Sequence, residues 1–285
     1  MNIYLAGTLT AGNLKKYYDI IMKLYLAGTY SRPFIFDEAM KLYLVGIQGK
    51  AKDFVIKENN PYILESYFYI KDQNNWVTKL RPLFKNFLLD SGAFSFLNNV
   101  KKGAPNWDNY INDYADFINN YNIDLFFELD IDPIVGLKEV ERLRDKLENL
   151  TNKKCIPVWH KSRGLQYWKD MCKNYNYIAI GGIVTKEISS KNYDIFNPLL
   201  KIAKENNCKV HGLGFTNLEG IKKYKFHSVD STAWLYGNRG GFLYKFNGET
   251  MLKIAPKNMR LKAKESAIHN FNEWVKFSNY AETNL

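Results

Sequence analysis

Short apolar runs that stop on Asp, Gly or His, each followed by an amphipathic stretch, recur along this chain. That alternation limits the fold more than any other feature. The runs are Ile3–Ala6, Phe87–Leu89, Leu125–Leu129, Cys155–Trp159, Tyr177–Ile180, Lys209–Leu213 and Ser228–Val229. Continuous apolar runs of this length suit strands buried on both faces. Between them lie Trp107–Tyr121, Gly136–Asn149, Leu165–Lys173, Ile195–Asn206 and Leu218–Lys223, which have helical spacing of apolar residues. Strands alternating with helices give a parallel sheet with crossover connections. Seven strands are visible, and the segment between Phe34 and Gln48 is the place for an eighth. Polar residues punctuate nearly every strand end, and a closed barrel brings such ends to one mouth. The expected fold is therefore α/β, a (β/α)8 barrel of the TIM type.

No linker or low-complexity stretch divides the chain, so residues 1–285 read as a single domain. Past residue 240 the pattern changes. Phe242–Phe246, Asn247-Gly248 and Glu249–Ile254 read as a β-hairpin with an Asn-Gly turn. A basic helix is expected from about Asn258 to Phe277, with Arg260, Lys262 and Lys264 early and Ile268, Phe271 and Trp274 at core spacing. Hairpin and helix together form an appendage over 240–285. Tyr4-Leu5-Ala6-Gly7 recurs as Tyr25-Leu26-Ala27-Gly28 and loosely as Tyr43-Leu44-Val45-Gly46, but the spacing drifts and excludes a solenoid.

Composition narrows the function. A net charge of +11 favours a polyanionic partner, although the Lys, Asn, Tyr, Phe and Ile content also fits simple compositional bias. Cys155, Cys172 and Cys208 are isolated and odd in number, which points to reduced, buried thiols. No apolar run is long enough for a membrane span, and the N-terminus lacks the layout of a signal peptide. A cytoplasmic protein with no membrane partner is expected.

Four strand ends carry chemistry. Asp90 ends an apolar strand and is followed by Ser91-Gly92-Ala93-Phe94-Ser95. In Phe127–Pro133, alternation places Glu128, Asp130 and Asp132 on one side of an extended chain. Gly181-Gly182-Ile183 brings backbone N–H groups within reach of a ligand atom. His227-Ser228-Val229-Asp230 ends on another Asp. One such Asp is as readily the N-cap of the next helix as a functional group. Several at converging ends argue for a site.

The ordered set resembles the tRNA-guanine transglycosylases. Asp90-Ser91-Gly92-Ala93-Phe94-Ser95 resembles their Asp-Ser-Gly-Gly-Phe-Gln, and Gly181-Gly182-Ile183 their Gly-Gly-Leu. His211-Gly212-Leu213-Gly214 is similar to their Met-Gly-Val-Gly, and Asp230 falls where their nucleophilic Asp stands. The motifs span about Phe87 to Gly241 in the family's order. The family's zinc site, three cysteines and a histidine, has no counterpart here, and neither does an appended RNA-binding domain. The short, zinc-less form is similar to the phage and bacterial DNA-directed branch, which inserts 7-deazaguanines into DNA. For a phage-encoded chain the compartment is the host cytoplasm.

The resemblance implies roles. Asp230 is the nucleophile that captures the sugar as an ester. Asp90 is the acid/base. Asp130 accepts from guanine N1–H and the 2-amino group, with Asp132 in reserve. Gly181, Gly182 and Ile183 face O6, Gly212 belongs to the base pocket, Phe94 stacks on the base, and His160 donates to the purine. Arg239 in the loop 237–241, and Arg260, Lys262 and Lys264, contact nucleic acid. No metal or cofactor is expected. The partners are DNA, with tRNA as the alternative, and a small 7-deazaguanine base; oligomeric state is open. A competing class is a metal-dependent barrel hydrolase using His160, His211 and His227. A third is a nucleic-acid-binding subunit on a barrel that has lost catalysis. His269 reads as structural.

Overall fold

The structure is a computed structural model that describes residues 22–27, 61–73, 77–78, 80–81, 84–92, 95–96, 105–236, 241–255 and 262–285, without the Lys264 side chain. Seven strands form one sheet: β1 Lys23–Ala27, β2 Tyr62–Ser66, β3 Asn86–Asp90, β4 Val158–Trp159, β5 Tyr177–Ile180, β6 Lys209–Gly212 and β7 Ser228–Ser231. Their order is β3-β2-β1-β7-β6-β5-β4, and every pairing is parallel.

Segment 125–129 closes the gap between β3 and β4. Phe126 bridges Leu89 and Phe127 bridges Ile156, both in parallel. Leu89 N–H donates to Leu125 O and Phe127 N–H to Leu89 O. On the other side Glu128 N–H donates to Ile156 O and Ile156 N–H to Phe126 O. With this segment, eight strands run in chain order around a ring, and β7 returns to β1. The chain is a (β/α)8 barrel.

The ring differs from the sequence expectation at its start. Its first two members are β1, which the sequence shows only as part of a recurring phrase, and β2, for which the sequence suggests no element. The expected strands at Ile3–Ala6 and between Phe34 and Gln48 lie outside the described residues. The other six agree to within a few residues.

The period-two alternation of the strands divides the apolar residues into two cores. Tyr25, Ala27, Tyr62, Leu64, Leu88, Phe127, Ile156, Val158 and Ala179 fill the barrel interior. Their outward neighbours, Leu24, Ile63, Phe87, Leu89, Phe126, Ile178 and Val210, pack beneath the helices. Those helices are α1 Tyr67–Ile70, α2 Trp107–Asn120, α3 Asp132–Val135, α4 Leu137–Thr151, α5 Gly164–Asn174, α6 Phe196–Glu205, α7 Leu218–Lys223 and α8 Ala263–Asn284. Helix α2 shows the logic. Asn106 caps it by accepting from Asn109 N–H, and Tyr110, Ile111, Tyr114, Phe117 and Ile118 form its buried stripe.

Strands β8 Leu243–Phe246 and β9 Met251–Ile254 form the antiparallel hairpin. Its turn spans residues 247–250, because Asn247 N–H donates to Thr250 O and the Asn247 side chain accepts from Glu249 and Thr250 N–H. The expected two-residue Asn-Gly turn is replaced by this side-chain-closed loop. The hairpin lies on α8. Asn270 accepts from Tyr244 N–H, Glu273 from Phe246 N–H, and His269 Nε2–H donates to Tyr244 O. These bonds occupy backbone groups on an edge strand that would otherwise be open. Helix α8 begins later and runs further than expected, and it anchors to the barrel through Ser278 Oγ–H donating to Leu24 O. The three cysteines are free and buried. Among the described residues no helix is long and apolar enough to cross a membrane.

Candidate active site

The C-terminal strand ends bring Asp90, Asp130, His160, Gly181-Gly182 and Asp230 to one mouth. Asp90 is the last residue of β3, level with Ser66 on β2. Its Oδ2 accepts from Gly92 N–H at 3.0 Å. Gly92 sits at φ +86°, and a Cβ there would lie 2.5 Å from Phe68 Cβ, so the turn requires glycine. Tyr110 O–H donates to Ser91 O and holds the loop from behind. Burial raises the Asp90 pKa from 3.8 to about 6. The Gly92 N–H and the Ser66 hydroxyl, which stands beyond ordinary hydrogen-bond geometry, oppose the rise, and the negative charges of Asp230 and Asp130 add to it. The charges of Asp130 and Asp230 therefore bear on Asp90.

Asp230, buried on β7, places Oδ1 against two donors. Gly214 N–H approaches at 2.5 Å and His211 Nε2 at 3.2 Å. Among the described residues no donor reaches Oδ2. His211 lies inside the barrel, its ring near those of Tyr25 and Phe127. Its Nδ1 meets Ser228 Oγ at 2.6 Å, and Ser228 Oγ also meets the Tyr177 hydroxyl.

Asp130 and its neighbours correct the expected alternation. Ile131 N–H donates to Leu129 O, so the chain leaves its extended path after Leu129. Glu128, Asp130 and Asp132 consequently do not share a side. Asp130 faces His160, whose Nε2 lies 2.6 Å from Asp130 Oδ1. Glu128 is fully buried against Arg144 and Arg163, each at 3.1 Å, and accepts from Val158 N–H. Burial raises the Glu128 pKa against the pull of the two arginines. Asp132 starts α3, and its carboxylate is held by Arg163 through Nε–H and Nη2–H. The reserve carboxylate for the base is thus committed to a structural fork.

His160 also departs from expectation. Its Nδ1 lies 2.9 Å from Glu187 Oε2 while Nε2 meets Asp130. Burial disfavours the charged ring, but Asp130 and Glu187 outweigh it and raise the pKa to about 9. As an imidazolium His160 donates from both nitrogens and has no N–H left for a purine. It fixes Asp130 instead. Glu187 was not singled out in the sequence, because it follows a turn rather than ending a strand.

The two glycines follow from this arrangement. A Cβ on Gly181 would lie 2.7 Å from His160 Cε1, and one on Gly182, at φ +76°, would lie 2.6 Å from Glu187 Oε2. Gly181 N–H is spent on Trp159 O. Gly182 and Ile183 N–H have no acceptor among the described residues. Gly212 does not line the mouth. Its missing side chain faces Phe215, Phe226 and Val229 of the outer core, so it is a packing glycine.

The structure does not bring the three histidines together. His160 follows the last residue of β4, His211 lies within β6, and His227 precedes the first residue of β7 at the opposite end of the ring. Burial, with Lys23, Lys209 and His211 nearby, lowers the His227 pKa to about 3. The metal-site reading of these histidines fails on that geometry, and no group of metal-ligating side chains is found among the described residues. Phe94, Arg239 and Arg260, and the Lys264 side chain, lie outside the described residues. Lys262 is exposed and pairs with Glu265.

No protein-family model matches the chain, and no curated protein sequence does. Among solved structures it is similar to a candidate fructose-1,6-bisphosphate aldolase from Coccidioides immitis. The TM-score is 0.56 at 12% identity, over 96% of this chain and 94% of that one. It also matches the carboxyl transferase domain of Rhizobium etli pyruvate carboxylase, with TM-score 0.45 and 14% identity, over 94% of this chain and 49% of that one. At such identities the first likeness speaks for the barrel fold alone.

Proposed function

We propose that the protein is a glycosyltransferase that exchanges guanine in DNA for a 7-deazaguanine base through a covalent aspartyl–sugar intermediate. One observation carries the reading: Asp90 and Asp230 stand at strand ends of one barrel mouth, the charge of Asp230 bears on Asp90, and among the described residues no donor reaches the second carboxylate oxygen of Asp230. A nucleophile needs that free oxygen, and an acid near neutrality needs a raised pKa such as that of Asp90.

In the proposed sequence Asp230 Oδ2 attacks C1′ of the nucleotide as the bond from C1′ to guanine N9 breaks. The bonding pair leaves with guanine, which takes the proton of Asp90. The incoming base then gives its N9 proton to Asp90 and attacks C1′, and the ester pair returns to Asp230. Asp130, oriented by His160, accepts from N1–H and the 2-amino group, and the free N–H groups of Gly182 and Ile183 donate to O6. A base inside duplex DNA must leave the stack to reach such a mouth. Tyr69, Val184 and Tyr236 follow the C-terminal ends of β2, β5 and β7 and expose apolar surface. They suit contacts with unstacked bases.

The test is nucleoside mass spectrometry of guanine-containing DNA incubated with protein and a free 7-deazaguanine. Incorporation that disappears in Asp230→Ala, with the melting transition kept, supports the reading. Undiminished exchange by that variant, or exchange on tRNA only, refutes it.

A further inference from the structure

The structure assigns His211 as a positioning residue that selects the attacking oxygen of Asp230 and speeds release of the sugar from it. The inference rests on the base-exchange reading above and adds a group to it. Its basis is a line of side chains along the barrel interior. The Tyr177 hydroxyl meets Ser228 Oγ, Ser228 Oγ meets His211 Nδ1 at 2.6 Å, and His211 Nε2 meets Asp230 Oδ1 at 3.2 Å. Tyr177 is partly buried, and the other three are buried.

The hydrogen-bond roles run one way. Nε2 faces a carboxylate, so it carries the proton. Nδ1 then accepts, and Ser228 O–H is its donor. Ser228 Oγ in turn accepts from Tyr177 O–H. Ser228, with no exposed surface and both partners engaged, holds the tautomer and is no nucleophile. A hydrolase-like Ser-His-Asp reading of the same residues fails on that burial.

His211 and Gly214 N–H both bind Oδ1. Oδ2 is therefore the oxygen that bonds to C1′, and Oδ1 becomes the ester carbonyl. Donors bind a carboxylate more strongly than an ester carbonyl. They favour the free carboxylate, so they slow adduct formation modestly and speed its discharge to the incoming base. A hydrogen bond to a charged acceptor exceeds a neutral one by ~1.4 kcal/mol, about tenfold.

The experiment follows the adduct by intact mass after incubating the full chain with a guanine-containing oligonucleotide, then adds a 7-deazaguanine and times discharge. His211→Leu removes the donor and His211→Gln keeps one. In His211→Leu the ratio of adduct to free enzyme should rise about tenfold, most of it as discharge slowed several-fold and the rest as modestly faster adduct formation. His211→Gln should recover most of the loss. Ser228→Ala, which frees the tautomer, should shift both readouts the same way by less, and it stands in where His211→Leu does not fold. Discharge at the native rate in both His211→Leu and Ser228→Ala overturns the inference, as does a Gln variant as impaired as Leu. Absence of any adduct in the native protein overturns the base-exchange reading itself, and this inference with it.

Discussion

Asp90→Asn should make the protein more stable at pH 7 while stopping base exchange. The folded environment raises the Asp90 pKa from 3.8 to about 6, mainly by burial. A raised carboxyl pKa means that the ionised form is disfavoured on folding. The cost is fully present above about pH 6, shrinks as the folded protein takes up the proton, and is gone below about pH 4. At ~1.4 kcal/mol per pH unit it reaches ~3 kcal/mol, and the part of Asp90 still open to solvent reduces it toward ~1–2 kcal/mol. Asparagine keeps an oxygen for the Gly92 N–H and carries no charge toward Asp130 and Asp230. Urea unfolding of both proteins from pH 4 to 8 measures the gain. The two curves should converge near pH 4 and separate above pH 6 with the variant higher. A variant less stable than native at pH 7, or a difference independent of pH, refutes the reasoning. The same titration bears on catalysis, since single-turnover adduct formation needs protonated Asp90 and should decline above about pH 6.

Further predictions test the surrounding frame. His160, raised to about 9 against an ordinary 6.5, should contribute stability in full below about pH 6.5 and lose it as pH rises through about 9. His160→Gln should flatten that alkaline limb in thermal melts. Arg163→Ala strips Glu128 and Asp132 of a buried partner and should cost ~3–5 kcal/mol in urea unfolding. Gly182→Ala meets both a left-handed φ and Glu187, so it should cost ~1–2 kcal/mol and reduce exchange through displacement of the His160 pair. Tyr236→Ala should weaken oligonucleotide binding by the ~1–3 kcal/mol of a lost stacking contact, about five-fold to a hundred-fold, with little change in melting.

The barrel was legible because its strands are apolar on both faces and its helices carry long stripes. Residues 62–66 escaped notice because the strand runs straight into the apolar Tyr67–Ile70 with no turn residue between, and residues 23–27 because they stand out in the sequence only as part of a recurring phrase. The Asp90, Asp130 and Asp230 positions were legible because each follows an apolar run. Asp132, Gly212 and His160 were misread, since sequence spacing does not say where a chain bends. One hydrogen bond at Leu129 separates Asp130 from Asp132. Strand alternation sends Gly212 outward, and Glu187, absent from the reading, takes the second nitrogen of His160. The His211–Ser228 pair joins adjacent strands in register, which becomes visible only when β6 and β7 are known to be neighbours.

The central claim is that one aspartate carries the sugar between the two bases. Peptide mapping of protein quenched during exchange tests it most directly. The account predicts a nucleotide mass on the peptide containing Asp230 that vanishes when a 7-deazaguanine is added. A mass on another residue, or exchange proceeding with no protein-bound sugar at any time, contradicts it.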